Sequence, residues 1–195
     1  HRSPLRQVLM RDPIMRAYSE WSMFALGWHW DRDLNLLGRL RSQIRAFRVC
    51  SAGLFHNMSA LQALPTSELF GYVTRCFRGK AMEYVSNSIY SVCVLAALRV
   101  FKREQFLFLR YEDLMRMDAR AILRLVSRHT GLHLDERVLK AAEREGKCQP
   151  HSKLRGRPMS YSSHSRFAAE FLEEAAPPLE RFFSPYNEWL AELIH

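Results

Sequence analysis

The sequence predicts an α/β fold with a small, mostly parallel sheet flanked by helices. Three observations predict it. Residues 5–10 form a short run with no room for a full helical turn before Asp12-Pro13, so the segment reads as strand, sharp turn, helix. Residues 105–110 (QFLFLR) are nearly all apolar, the pattern of a strand buried on both faces, as parallel strands are. Between and beyond these runs, apolar residues recur at helical spacing. The order is strand, helices, strand, helix, basic loop, helices, with no internal repeat and no low-complexity segment.

Each element has a local cause. Asp12 can cap orphan N–H groups and Pro13 suits a first helical position, so a helix opens there with Ile14, Tyr18, Trp21 and Leu26 along its core stripe. A second helix is expected over 34–47, turning Leu37, Leu40, Ile44 and Phe47 inward. Its other side shows Arg41, Arg45 and Arg48 at i, i+4 and i+7. Residues 49–67 lack periodicity and read as a loop, after which Ser67 caps a short helix with Glu68 in its first turn. A longer helix is expected over 81–101, with Tyr84, Ile89, Val92, Leu95, Ala96 and Leu98 in the core. Asp118 opens an amphipathic helix carrying Ile122, Leu125, Val126 and His129 on one side, and Gly131 ends it. The tail, 167–194, reads as helical at both ends and broken by Pro177-Pro178 and Ser184-Pro185.

Composition sets the bounds. A chain of 195 residues, 48% hydrophobic, can bury one sizeable core, and a single domain is the expectation. No run of about 18 apolar residues is present to span a membrane. The net charge of +9 sits in residues 1–110, which hold 16 Lys/Arg against 7 Asp/Glu, while 111–195 balance at 13 each. A basic front points to an anionic partner: nucleic acid, polyanionic sugar, nucleotide or acidic lipid. The four cysteines share no CxxC spacing, which argues against zinc and thioredoxin-like chemistry, and no metal is expected. Cys50 and Cys76 are free to pair, and Cys93, in SVCVLAAL, reads as a buried thiol. Asn57-Met58-Ser59 is a glycosylation sequon.

Two segments suit anions. Arg11 stands at a strand end beside a helix N-terminus, with Arg16 and Ser19 following on the helix. A helix N-terminus favours negative charge, and arginine presents a fork of donors that matches phosphate oxygens. The second segment is Lys153-Leu154-Arg155-Gly156-Arg157-Pro158, where glycine lets the backbone approach an anion that the cations surround. The Arg41/Arg45/Arg48 stripe is a third cationic face, suited to an acidic substrate or simply to solvent. Glu112 and Asp113 are expected to serve structure, capping or pairing, rather than proton transfer. The P-loop pattern GxxxxGK[ST] is absent.

RDPIMRAYSEW resembles the 3′-phosphate-binding motif of sulfotransferases that use 3′-phosphoadenosine 5′-phosphosulfate (PAPS), in which an arginine and a serine eight positions later grip that phosphate. Further features agree in chain order. Ser88-Ile89-Tyr90 leading to Phe101 and Gln105 resembles the family's approach to its next strand, and Phe108 to Leu114 resembles the strand ending in Glu-Asp-Leu. Lys153 to Arg157 resembles the Lys-Gly-Arg loop of Golgi carbohydrate sulfotransferases, and Phe182 to Asn187, with Leu190, their C-terminal tail. The likeness is greatest to the glycosaminoglycan branch, of the N-acetylgalactosamine 4-sulfate 6-O-sulfotransferase kind.

The resemblance implies a P-loop-like sulfotransferase fold, incomplete at its N-terminus, that moves a sulfuryl group from PAPS to a carbohydrate hydroxyl without a metal. It implies that Arg11, Ser19, Lys153, Arg155, Gly156 and Arg157 hold the nucleotide, with Arg41, Arg45 and Arg48 toward an anionic or sulfated glycan. It also implies residence in the Golgi lumen, in a type II membrane protein with Asn57 glycosylated, and no nucleic-acid partner. The family's 5′-phosphosulfate loop and its proposed catalytic base are expected upstream of residue 1, so these residues alone are expected to be inactive. The basic loop departs from the family in reading SKLRGR, so either Lys153 or Arg155 fills the lysine position, and Cys148 stands where a cysteine pair is usual. Alternatives are a basic nucleic-acid-binding domain, or a relative that keeps the fold without catalysis.

Overall fold

A computed structural model describes residues 5–27, 29, 35–77, 82–145 and 166–195. In chain order they form β1 (Arg6–Met10), α1 (Pro13–Trp21), a π-helical segment (Ser22–Gly27), α2 (Leu36–Ser51), α3 (Met58–Ala63), α4 (Thr66–Cys76), α5 (Tyr90–Leu98), β2 (Phe106–Arg110), α6 (Tyr111–Arg116), α7 (Ala119–Thr130), α8 (Glu136–Glu145) and α9 (Arg166–Ile194). Short 3-10 turns precede α3, α5 and β2. The mixed, helix-rich architecture with a small parallel sheet is of the α/β class. The chain divides into two compact units, His1–Asp12 with Lys102–Ser162 and Pro13–Phe101 with Ser163–His195.

In the first unit β1 and β2 pair in parallel, Arg6 opposite Phe106 and Met10 opposite Arg110. Burial is shallower than a doubly covered strand requires: only Phe106 on β2 is fully buried, and Leu9 on β1 is 55% exposed. Leu107, Phe108 and Leu109 are each only partly covered, so β2 is not sandwiched between two layers as a doubly covered parallel strand is. Phe106 and Phe108 stack on one face at 5.5 Å, and the Arg103 guanidinium covers Phe108 at 4.7 Å. α7 starts and stops where expected. Asp118 accepts the Ala121 N–H at 2.7 Å, and Gly131, at φ 68°, takes the left-handed conformation that glycine adopts without strain. α8 was not anticipated. Arg120 ties it to α7, donating to both carboxylate oxygens of Glu136 and to Glu143 at 2.8–3.0 Å.

The second unit holds the main core, in which α1, α2, α4, α5 and α9 surround an aromatic cluster. Ile14, Tyr18 and Trp21 are buried as α1 predicts, and α2 buries Leu40 and Phe47 while Leu37 and Ile44 pack against the core. Phe47 is met by Phe77, Phe182 and Tyr186, ring centroids 5.3–6.3 Å apart and edge-on, a favourable arrangement for aromatic pairs. Cys50 and Cys76 form a disulfide that ties the end of α2 to the end of α4.

Several expectations need correcting here. Residues 49–67 are not a loop: α2 runs on to Ser51, and α3 forms because Asn57 Oδ1 caps the Ala60 N–H and Leu61 is fully buried. α4 begins at Thr66 after Pro65, so Ser67 lies within its first turn and is not the cap. The helix expected over 81–101 contracts to α5. Ahead of it Ser88 donates to the Tyr84 carbonyl at 2.7 Å, and such local bonds compete with the helical ladder. α9 is one continuous helix despite Pro177, Pro178 and Pro185. Cys93 keeps solvent-accessible surface on α5, yet the protein packed around it pushes its thiol up to about 11, so it is only in part the buried thiol expected. Cys148 lies outside the described residues.

Candidate functional site

The C-terminal ends of the two parallel strands bring Arg11-Asp12 against Tyr111-Glu112. The Arg11 guanidinium lies 4.8 Å above the Tyr111 ring, a cation–π contact that occupies its flat face and holds the side chain at the strand end. Its N–H groups lie in the guanidinium plane, the geometry that meets phosphate oxygens. Glu112 Oε1 accepts the Asp12 backbone N–H at 2.9 Å, so this carboxylate braces the turn, the structural role expected of it. Asp113 is exposed, within 4.0 Å of Arg110 and 3.8 Å of Arg116.

Ser19 belongs to the second unit, half-buried on α1, while Arg11 belongs to the first. Arg16, on the same helix, is already neutralised: its Nη1 donates to Glu20 at 2.8 Å and reaches Ser88 Oγ at 3.4 Å, and Asn87 holds the other Glu20 oxygen at 3.3 Å. Arg16 therefore ties α1 to the turn before α5, with Glu20 offsetting its charge. Gln105 closes the turn ahead of β2 by accepting the Lys102 N–H at 3.0 Å. Lys153, Arg155, Gly156 and Arg157 lie outside the described residues.

A second cationic place lies wholly within the helical unit. Arg41, Arg45 and Arg48 of α2 line a groove of about 570 Å³ whose opposite wall is Arg181 and Phe182 of α9, with His56 beside them. The stripe read from the sequence is thus one wall of a groove, and Arg181 and His56 are members that sequence reasoning missed. Arg181 follows Pro178 by three residues in a tail that reads as interrupted, which hid its face. His56 holds φ at 52°, a left-handed backbone that few residues other than glycine adopt. Three contacts keep it there. Its N–H donates to the Tyr186 hydroxyl at 3.4 Å, its Nε2 to the Phe182 carbonyl at 3.0 Å, and its ring stacks on Phe55 at 4.0 Å. Burial holds the imidazole below its ordinary range, against the Phe182 carbonyl that favours the protonated ring, and the Arg48 charge adds to the lowering.

Asn57, the sequon residue, is exposed at the head of α3. Among the described residues no helix is long and apolar enough to cross a membrane, and no cluster of three or more His, Cys, Asp or Glu is grouped to hold a metal. Compared with protein-family models, with curated proteins and with solved structures, the chain matches none.

Proposed function

We propose that this chain is the nucleotide-3′-phosphate-binding part of a PAPS-dependent carbohydrate sulfotransferase. One observation carries the proposal. Arg11 stands at the C-terminal end of a strand that pairs in parallel with the strand of the Glu-Asp-Leu motif, and α1 opens two residues later with Ser19 on it. In strand–turn–helix units generally, a strand-end arginine and the N-terminus of the following helix both favour a phosphate. The Tyr111 stack supports a fit, because it meets the flat face of the Arg11 guanidinium, whereas oxyanions are recognised by N–H groups in the guanidinium plane.

Sulfuryl transfer forms an O–S bond to a sugar hydroxyl and breaks the S–O bond to the nucleotide, which leaves with the bonding electrons. As in phosphoryl transfer, positioning and charge stabilisation dominate. Within this chain Arg11 and Ser19 take the 3′-phosphate, and Lys153 or Arg155, with Gly156 and Arg157, close over the nucleotide. The hydroxyl proton passes to a general base as the O–S bond forms. Golgi residence and glycosylation at Asn57 belong to the same proposal.

The test is thermal stabilisation of the full-length protein by 3′-phosphoadenosine 5′-phosphate against 5′-AMP. The midpoint rises with the 3′-phosphorylated nucleotide alone, and Arg11→Ala and Ser19→Ala each abolish most of the rise. Equal shifts with both nucleotides would overturn the proposal.

A further inference from the structure

The groove between α2 and α9 carries an inference that stands apart from the nucleotide site. Its walls bring Arg41, Arg45, Arg48 and Arg181 together, and no carboxylate is among the lining residues. Among the described residues none of these four guanidiniums has an acidic partner within ion-pair distance. Four like charges around one concavity repel one another, a cost that a counter-anion removes. The spacing indicates which anion. Arg41 and Arg45 stand about 5–6 Å apart on neighbouring turns, and Arg41 and Arg48 about 10 Å along the helix axis. A single small anion spans only part of that length.

All four cations are arginines, whose planar forks take oxyanions two bonds at a time. The aromatic rings that line the groove, Phe182 and His56, and Phe55 next to them are already engaged within the protein. Phe182 is buried against Phe47 and Phe183, Phe55 lies between the His56 ring at 4.0 Å and the Arg48 guanidinium at 5.0 Å, and the Phe182 carbonyl holds His56. No ring is left as a platform for an unstacked base, which single-stranded nucleic acid requires. From this geometry we propose that the groove binds a ligand carrying two or more sulfate or phosphate ester groups about 5–10 Å apart, spread over Arg41, Arg45, Arg48 and Arg181.

Calorimetric titration of the full-length protein, at one fixed physiological salt concentration, tests this with four probes: a sulfated hexasaccharide, inositol hexakisphosphate, inorganic sulfate and a single-stranded oligonucleotide. The hexasaccharide or the inositol phosphate binds, inorganic sulfate at the same concentration does not, and whichever ester binds identifies the source of the anion. Arg45→Gln and Arg181→Gln, from opposite walls, each weaken binding about tenfold. Arg124→Gln, on α7 of the other unit, changes nothing. Arg45→Lys and Arg181→Lys keep the charge while losing the fork, so their intermediate loss with an unchanged melting temperature separates binding from folding. The proposal is overturned by unaltered affinity in the groove variants, by an oligonucleotide that outbinds both esters, or by no binding at all. With the oligonucleotide made of thymidine alone, none of the probes carries a 3′-phosphoadenosine group, so failure of the nucleotide site leaves this result unaffected.

Discussion

Single side chains decide what the cationic positions can do. Arg16 and Arg11 both precede or open α1 in a motif rich in charge, yet Arg16 is consumed by Glu20 and Ser88 while Arg11 is stacked on Tyr111. The strained His56 is the residue most open to a pH test. Its proton affinity is lowered in the folded chain, so as pH falls the unfolded chain takes up the proton first. The stability contributed by neutral His56 is therefore present above its ordinary pKa of 6.5 and lost as pH falls through the lower folded value. The groups facing the ring are Arg48 from α2, Arg181 from α9 and the Tyr186 hydroxyl. The difference in melting temperature between wild type and His56→Asn, which tolerates the left-handed backbone, will change between about pH 7 and pH 5 as the wild type weakens. A pH-independent difference would mean that the imidazole does not titrate differently in the folded state.

At the scale of elements, caps and burial compete. α7 is bounded by Asp118 and Gly131, both working within one turn of their own position, and its apolar side stays only half-buried. With little core burial to hold it, α7 depends on its ends. Asp118→Ala is expected to lower unfolding free energy by about 1 kcal/mol in urea titration. Gly131→Ala costs a similar amount, because alanine at φ 68° meets the steric penalty that glycine avoids. α9 shows the opposite balance. A proline inside a helix costs about 3 kcal/mol, and α9 has three. Against them it buries Leu179, Phe182, Phe183, Tyr186 and Trp189, each contributing about 1.5–3 kcal/mol. The helix survives its breakers because of what it covers.

For the molecule as a whole, the helical unit is the well-packed one, and the Cys50–Cys76 bridge closes a 26-residue separation inside it. Cross-linking a loop of that length restricts the unfolded chain by about 3–4 kcal/mol. Reduction, or the double change Cys50→Ser with Cys76→Ser, should lower the denaturation midpoint by a matching amount. The exposed Cys93, replaced by serine alone, should leave it unchanged. An oxidising compartment suits such a protein. If adding reductant leaves the midpoint where it was, the bridge has no part in stability.

The sequence by itself determined those features whose causes lie within a turn or two of chain. These are the start of α1 at Asp12-Pro13, the bounds of α7, the inward faces of α1 and α2, and the strand-end setting of Arg11. Side-chain periodicity and capping are local, so local reading finds them. Tertiary structure alone decided the continuity of α9, the existence of α3, the partnering of Arg16 and the groove itself. The groove's walls, Arg41 and Arg181, are 140 positions apart in the chain. They meet because α9 buries its aromatic side into the core that α2 also lines, and burial is a property of the packed whole that no window of neighbouring residues contains.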